Sequence, residues 1–253
     1  MKGVSPANGP TFSIPEPRIM ASRPNALLER FYTALISGDR AAAGEVLAEC
    51  RSGKATAEAL ANHLIWPTLD QVQKAHRNDQ LSDLSYHFAT RLMRSITDRL
   101  QPEYEQKARR GQTLLMVCGE EESEELAGQL TADLLEADGW TVYFAGGGVA
   151  NDEIIAAVGT LVVDRLVIFG AVPATVPRTR QLIDRLHDMG LNEQVQVTVG
   201  GGVFGRAEGL AEEIGADLWA DHPTHVVEVL DEEPDTRMTW DQRTVGRRRR
   251  KAA

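Results

Sequence analysis

Between Gly119 and Glu125 the chain reads Gly-Glu-Glu-Glu-Ser-Glu-Glu, directly after the apolar run Leu114-Leu115-Met116-Val117-Cys118. Such a cluster could hold a hard cation, but consecutive glutamates on a helix point in different directions. Negative charge at a helix start is stabilised by the helix dipole without any ligand, and that is the better account here. The other residues able to do chemistry are scattered. Six histidines occur, His63, His76, His87, His187, His222 and His225, and two cysteines, Cys50 and Cys118, in no C-x-x-C arrangement. No Ser-His-Asp or Cys-His grouping recommends itself and H-E-x-x-H is absent, so the chain is not expected to be an enzyme.

Glycine is the second candidate feature. Gly119, Gly146-Gly147-Gly148, Gly170-Ala171 and Gly200-Gly201-Gly202 each follow an apolar run of strand length. Small residues at strand exits let a broad flat ligand lie against backbone, and although each loop alone also suits a tight turn, four on one edge favour a site. A nucleotide loop is disfavoured. Gly146-Gly147-Gly148-Val149-Ala150 does not match G-x-G-x-x-G at a first βα turn, no G-x-x-x-x-G-K-[ST] exists, and five glutamates would repel a pyrophosphate.

These loops need a scaffold, and the periodicity supplies one. Apolar runs at 114–117, 142–144, 166–169 and 195–199 alternate with amphipathic segments at 122–138, 151–163, 176–189 and 205–214. A last short strand near 217–220 and a helix over 223–230 complete the pattern. It predicts an α/β class unit, a Rossmann-like doubly wound five-stranded parallel sheet over residues 111–230, with ligands expected at the carboxyl ends of the strands. Ahead of it, residues 25–110 read as a helical bundle, with Leu84, Phe88, Leu92, Ile96 and Leu100 along one stripe of its final helix and a restart expected at Trp66-Pro67. Residues 1–24, rich in proline, are expected to be a disordered arm, and Met20 is an alternative start. Residues 231–253 form a C-terminal tail ending in Arg247-Arg248-Arg249-Arg250-Lys251.

With 27 Lys+Arg against 37 Asp+Glu the formal net charge is −10, so the body should not be a general nucleic-acid binder, and only the tail is a candidate for DNA contact. Two distant cysteines suit a reduced compartment, and no apolar stretch approaches the roughly 20 residues of a membrane span. A cytoplasmic protein without membrane contact is expected.

The segment Leu134-Leu135-Glu136-Ala137-Asp138-Gly139-Trp140-Thr141-Val142, then Gly146, Gly200-Gly201 and Gly215-Ala216-Asp217-Leu218-Trp219-Ala220-Asp221, resembles the cobalamin-binding domain of methionine synthase and light-sensing transcription regulators. The helices ahead of it resemble the cap over the upper face of cobalamin in those proteins, through Pro67 and Tyr86-His87-Phe88-Ala89-Thr90-Arg91-Leu92. The departures are specific. Where the family reads Asp-x-His-x-x-Gly, Glu120, Glu122 and Glu125 stand for Asp, His and Gly; in the cap His76 stands for Trp and Tyr86 for Glu, while His87 is retained. Imidazole is a good ligand for cobalt and a carboxylate is no equivalent, so ligation from below by this motif is excluded and any cobalt ligand should come from His76 or His87.

This combination is similar to the AerR/PpaA-type cobalamin-binding antirepressors of photosynthesis genes. The resemblance implies a light-responsive transcriptional regulator acting through a CrtJ/PpsR-like repressor protein. A corrinoid carrier of a methyltransferase system is the alternative, and heme is the less favoured cofactor. The implied cofactor contacts are Gly119, Glu120, Glu122, Gly146, Gly170, Ala171, Gly200, Gly201, Gly202, Phe204, Asp221 and His222. His63 reads as structural and His187 as exposed, and His225 ranks below His222.

Overall fold

The computed structural model of the protein describes residues 24–170 and 172–238. The proline-rich arm, Met20, Ala171 and the basic run 247–251 therefore lie outside the described residues. Five helices come first: α1 (Pro24–Ser37), α2 (Arg40–Ser52), α3 (Ala57–Leu60), α4 (Trp66–Arg77) and α5 (Asp83–Leu100). Short polar side chains start three of them by accepting an orphan backbone N–H: Asp39 from Ala42 at 3.0 Å, Thr56 from Ala59 at 3.2 Å and Ser82 from Ser85 at 3.2 Å. The expected restart at Trp66-Pro67 takes another form. A π-helical turn over Ala61–Ile65 carries α3 into α4 without a break, and Pro67, which has no N–H to continue the ladder, falls in the first turn of α4 directly after it.

The second unit is a sheet of β1 (Thr113–Cys118), β2 (Thr141–Gly146), β3 (Arg165–Phe169), β4 (Gln196–Gly200) and β5 (Leu218–Ala220), all parallel, in the order β2-β1-β3-β4-β5. Its helices are α6 (Glu122–Ala137), α7 (Asn151–Leu161), α8 (Val176–Asp188), α9 (Gly202–Arg206), α10 (Leu210–Ile214) and α11 (Pro223–Glu232). This is the expected Rossmann-like architecture. The helix expected over 205–214 is divided into α9 and α10, because Gly209 adopts a φ of +81° that no helix can contain.

Alternation along the strands builds two cores. Leu114, Met116, Val167 and Phe169 face α6 and α11, while Leu115, Val117, Leu166 and Ile168 face α7 and α8. The first of these cores does not stop at the sheet. Phe31, Leu35, Leu64, Leu69 and Met93 of the helical unit belong to the same apolar cluster as α6 and α11, so the helical unit and one face of the sheet fold as a continuous body. No helix among the described residues is long and apolar enough to cross a membrane.

Candidate functional site

In a sheet of this order the chain leaves β1 in one direction and β3 in the other, which opens a crevice between their exits. A cavity of about 280 Å³ lies there, lined by Cys118, Gly119, Glu124, Phe169, Thr175 and Arg178 among others. Glu124 is completely buried. Its carboxylate accepts from the backbone N–H of Val172 at 3.1 Å and of Glu121 at 3.3 Å, joining the start of α6 to the loop after β3. Arg178 pairs with Glu120 and donates to the Val149 carbonyl across the mouth. Burial, reinforced by Glu125 and Glu124, pushes the Cys118 thiol up to about 12, so it is no nucleophile here.

The five glutamates do point in different directions, and each has a separate task. Glu121 is the N-cap of α6, Glu120 reaches Arg178, Glu124 turns inward, and Glu122 and Glu125 meet the helical unit.

The glycine exits of β1, β3 and β4 are closer-packed than a ligand groove requires, while Gly148 after β2 has open space beside it. A Cβ on Gly119 would sit 1.9 Å from the Glu124 carboxylate, one on Gly170 2.8 Å from the Thr175 hydroxyl, and one on Gly200 2.8 Å from the Phe169 ring. The space beside these glycines is taken by the protein's own side chains. Phe169, fully buried, meets Trp66 of α4 edge-to-face with ring centroids 6.2 Å apart.

Over the first turn of α6 sits the helical unit, and Glu122 is the hub of that contact. Its carboxylate accepts from the Thr90 hydroxyl at 2.7 Å, lies 3.1 Å from His87 Nδ1 and pairs with Arg91 at 3.1 Å. Partial burial alone would raise its pKa, but the bonds from Thr90 and His87 and the Arg91 charge outweigh it and hold the carboxyl below its ordinary value. Beside it, the Ser123 backbone N–H donates to the Tyr86 hydroxyl at 3.0 Å, and Gln73 donates to the Ser123 hydroxyl at 3.1 Å. His76 stacks on Tyr86 with centroids 4.0 Å apart and shares a 3.0 Å bond with Asp83. His76 and His87 thus flank Tyr86 at the seam between the two units.

The residues singled out from the sequence fall into three groups. Gly119, Glu120 and Gly146 line the cavity; Glu122, His87 and His76 lie at the seam; Asp221 and His222 follow β5 at a third place, where Gly205 packs on Asp221. Gly201 takes a φ of +112° and Gly202 opens α9, so both shape the exit of β4. Phe204 is buried in the core on the α7 and α8 side of the sheet. His63 is exposed on the π-helical turn. Glu124, Phe169, Thr90 and Arg178 carry the site without having been singled out. For Glu124 a signal existed, since a glutamate three residues after an N-cap is the capping-box spacing.

Topology fits a corrinoid, and so does an exposed cap imidazole, His87, whose Nδ1 is held by a carboxylate while Nε2 remains as the second ring nitrogen. Room does not. The cavity lies under the roughly 300–1,000 Å³ of ordinary small-molecule sites, and Phe169, Val226 and Glu124 fill the adjoining exits. As they stand, these exits leave no space for a macrocycle.

Comparison with known proteins bears on the same surfaces. Residues 27–101, the helical unit, match the family model described as B12 binding domain. None of the curated proteins matches the chain. Among solved structures, the monomethylamine corrinoid protein of Methanosarcina barkeri superposes with a TM-score of 0.71 at 18% identity, covering 82% of this chain and 98% of that one. A cobalamin-binding protein from Desulfitobacterium hafniense DCB-2 covers 81% of this chain and 97% of its own at 19% identity and a TM-score of 0.44. The methanol:cobalamin methyltransferase complex of Methanosarcina barkeri gives 15% identity, 88% and 86% coverage and a TM-score of 0.46. The chain therefore joins a helical unit that matches the B12 binding domain model to a five-stranded parallel sheet with the fold of the monomethylamine corrinoid protein, and cobalamin is the cofactor these findings support.

Proposed function

We propose that this protein is a non-enzymatic corrinoid-binding protein that holds cobalamin between its helical unit and the exits of β1, β3 and β4, and acts through a protein partner. One observation carries the reading: the segment matching the B12 binding domain packs, through α4 and α5, on the first turn of α6 in front of the β1 exit. His87 is the residue we assign to meet cobalt from the helical side once its contact with Glu122 opens, with His76 next in line. Bound in an alkylated form, cobalamin would supply a cobalt–carbon bond open to exchange with a partner or to cleavage by light.

Of the two roles open to such a protein, that of a corrinoid carrier has the likeness to the monomethylamine corrinoid protein on its side. The other, an AerR/PpaA-type light-responsive antirepressor acting on a CrtJ/PpsR-like repressor, draws on Glu122, a carboxylate where a carrier is expected to present an imidazole. Hydroxocobalamin titration tests the shared claim. The protein should take up the corrinoid and show the spectrum of a nitrogen-ligated cobalt, lost in His87→Ala; an unchanged spectrum in the His76→Ala/His87→Ala double variant removes ligation from the helical unit. Methyl exchange with a methyltransferase separates the carrier from the regulator, whose capture of the repressor should differ between dark and light.

A further inference from the structure

Outside the seam, the exit of β5 gathers Asp221, His222 and His225, written in the sequence as Asp-His-Pro-Thr-His. One ligand atom from each lies within 4.8 Å of the other two, and all three side chains are partly exposed. His225 Nδ1 is 2.8 Å from Asp221 Oδ1, and His222 Nε2 is 3.6 Å from the same oxygen. Two ligands at zinc–nitrogen distances around a tetrahedral ion stand about 3.4 Å apart, so the three atoms need only small rotations to share a metal. Backbone geometry holds them in place. His222 is the N-cap of α11, Asp221 is pressed against the Cβ position of Gly205, and the Trp219 ring meets His225 edge-on with centroids 6.1 Å apart.

We propose that Asp221, His222 and His225 form a binding site for a first-row divalent cation of the zinc class, separate from the corrinoid site. Two imidazoles and one carboxylate suit zinc, nickel or cobalt(II) and not magnesium or calcium, which take oxygen ligands. Three protein ligands with an outward-facing remainder leave a position for water. Three features oppose the ion. His225 Nδ1 accepts from the Asp221 backbone N–H at 3.4 Å, a bond that ligation through that nitrogen gives up. The N-terminus of α11 carries partial positive charge, which the Asp221 carboxylate offsets. The His222 Nδ1 accepts from the His225 backbone N–H at 3.1 Å, so ligation through Nε2 places the ring proton on Nδ1 and gives up that cap. The cap loss marks the bound state. The next residue but one, Thr224, donates to Asn62 of the π-helical turn, so the ion would clip β5 to the turn of α11 that touches the helical unit.

Zinc chloride titrated into corrinoid-free full-length protein by calorimetry tests the site. One equivalent should bind, raise the melting temperature, and shift the His222 ring nitrogens in nitrogen-15 spectra as the proton changes sides. His222→Asn keeps a good cap residue while removing the imidazole, and with His225→Ala it should weaken zinc binding at least tenfold without lowering the melting temperature of the metal-free protein by a comparable shift. Zinc affinity unchanged in that double variant, or absence of stoichiometric zinc binding by the wild type, overturns the proposal. Retained zinc binding in His76→Ala is expected, and its loss would place the ion at the seam instead.

Discussion

Replacing Glu122 by Ala cuts three contacts between α5 and α6 at once, and their separate worth can be worked out. The Thr90 hydroxyl donates over 2.7 Å to a carboxylate, and a hydrogen bond to a charged group contributes about 1.5–3 kcal/mol. Part of that is recovered in the variant, because the same hydroxyl lies 3.0 Å from the Tyr86 carbonyl and can turn to it. The His87 and Arg91 side chains are 53% and 74% exposed, so the His87 contact and the Arg91 ion pair each add no more than about 0.2–1 kcal/mol. Together these give a loss of about 2 kcal/mol for Glu122→Ala and about half that for Glu122→Gln, which keeps an acceptor for Thr90 without the charge. Urea unfolding at neutral pH measures it as a lowered midpoint at constant slope. The pH dependence follows from the depressed carboxyl. A folded-state pKa below the ordinary 4.5 means that the contribution is present above that value and is lost as pH falls through the lowered one. The gap between wild type and Glu122→Gln should therefore close on acidification. A Glu122→Ala midpoint equal to that of wild type, or a gap that widens in acid, would refute the hub.

Two further substitutions probe the body that the hub joins. Phe169→Ala removes a fully buried ring packed on Trp66 and beside Gly200, and should cost about 3–5 kcal/mol by the same unfolding assay; a loss under about 1 kcal/mol would mean that the ring is not held in the core. Burial, reinforced by Glu136 and Asp98, raises the Asp133 carboxyl to about 7, and its Oδ2 has no hydrogen-bond partner. The folded state then holds this proton more tightly than the unfolded chain, so stability falls as pH climbs from the ordinary 3.8 toward 7. Asp133→Asn should remove that slope and be the more stable protein above pH 7, and parallel wild-type and variant curves would contradict the raised value.

The sheet was legible because its strands are buried on both faces. Leu114–Val117 and Leu166–Phe169 are unbroken apolar runs between amphipathic segments, and only a parallel sheet covered on both sides uses such runs in alternation. Asp39 and Ser82, short polar residues standing before periodic segments, cap α2 and α5 in the structure, a start signal that the sequence carries and that went unused. What sequence could not give was the use of the space at the strand exits. A glycine says that a Cβ is unwelcome and not what takes its place, and Gly119, Gly170 and Gly200 turn out to face Glu124, Thr175 and Phe169 of the same chain. The histidines were hard for a related reason. His76 and His87 are eleven residues apart and meet only because α4 and α5 bring Tyr86 between them, whereas the spacing of His222 and His225 across one helix start was open to reading and was undervalued.

A closed groove and a corrinoid-protein fold are reconciled by linkage. If cobalamin enters where α4 and α5 now rest on α6, the hub at Glu122 and the cofactor compete for one position, and each kilocalorie that the hub contributes lowers the population able to bind. At about 2 kcal/mol the competent fraction falls about 30-fold relative to a chain without the hub. That is a small penalty for a cofactor with a large contact area. It is also a coupling, because a carboxylate that binds three groups of the helical unit cannot keep them while that unit moves aside. In a protein with an imidazole at position 122, the same side chain would serve the metal and leave the helical unit free to move. Here Glu122 serves the helical unit, so under the proposed reading occupancy of the groove and the position of α5 would be tied together.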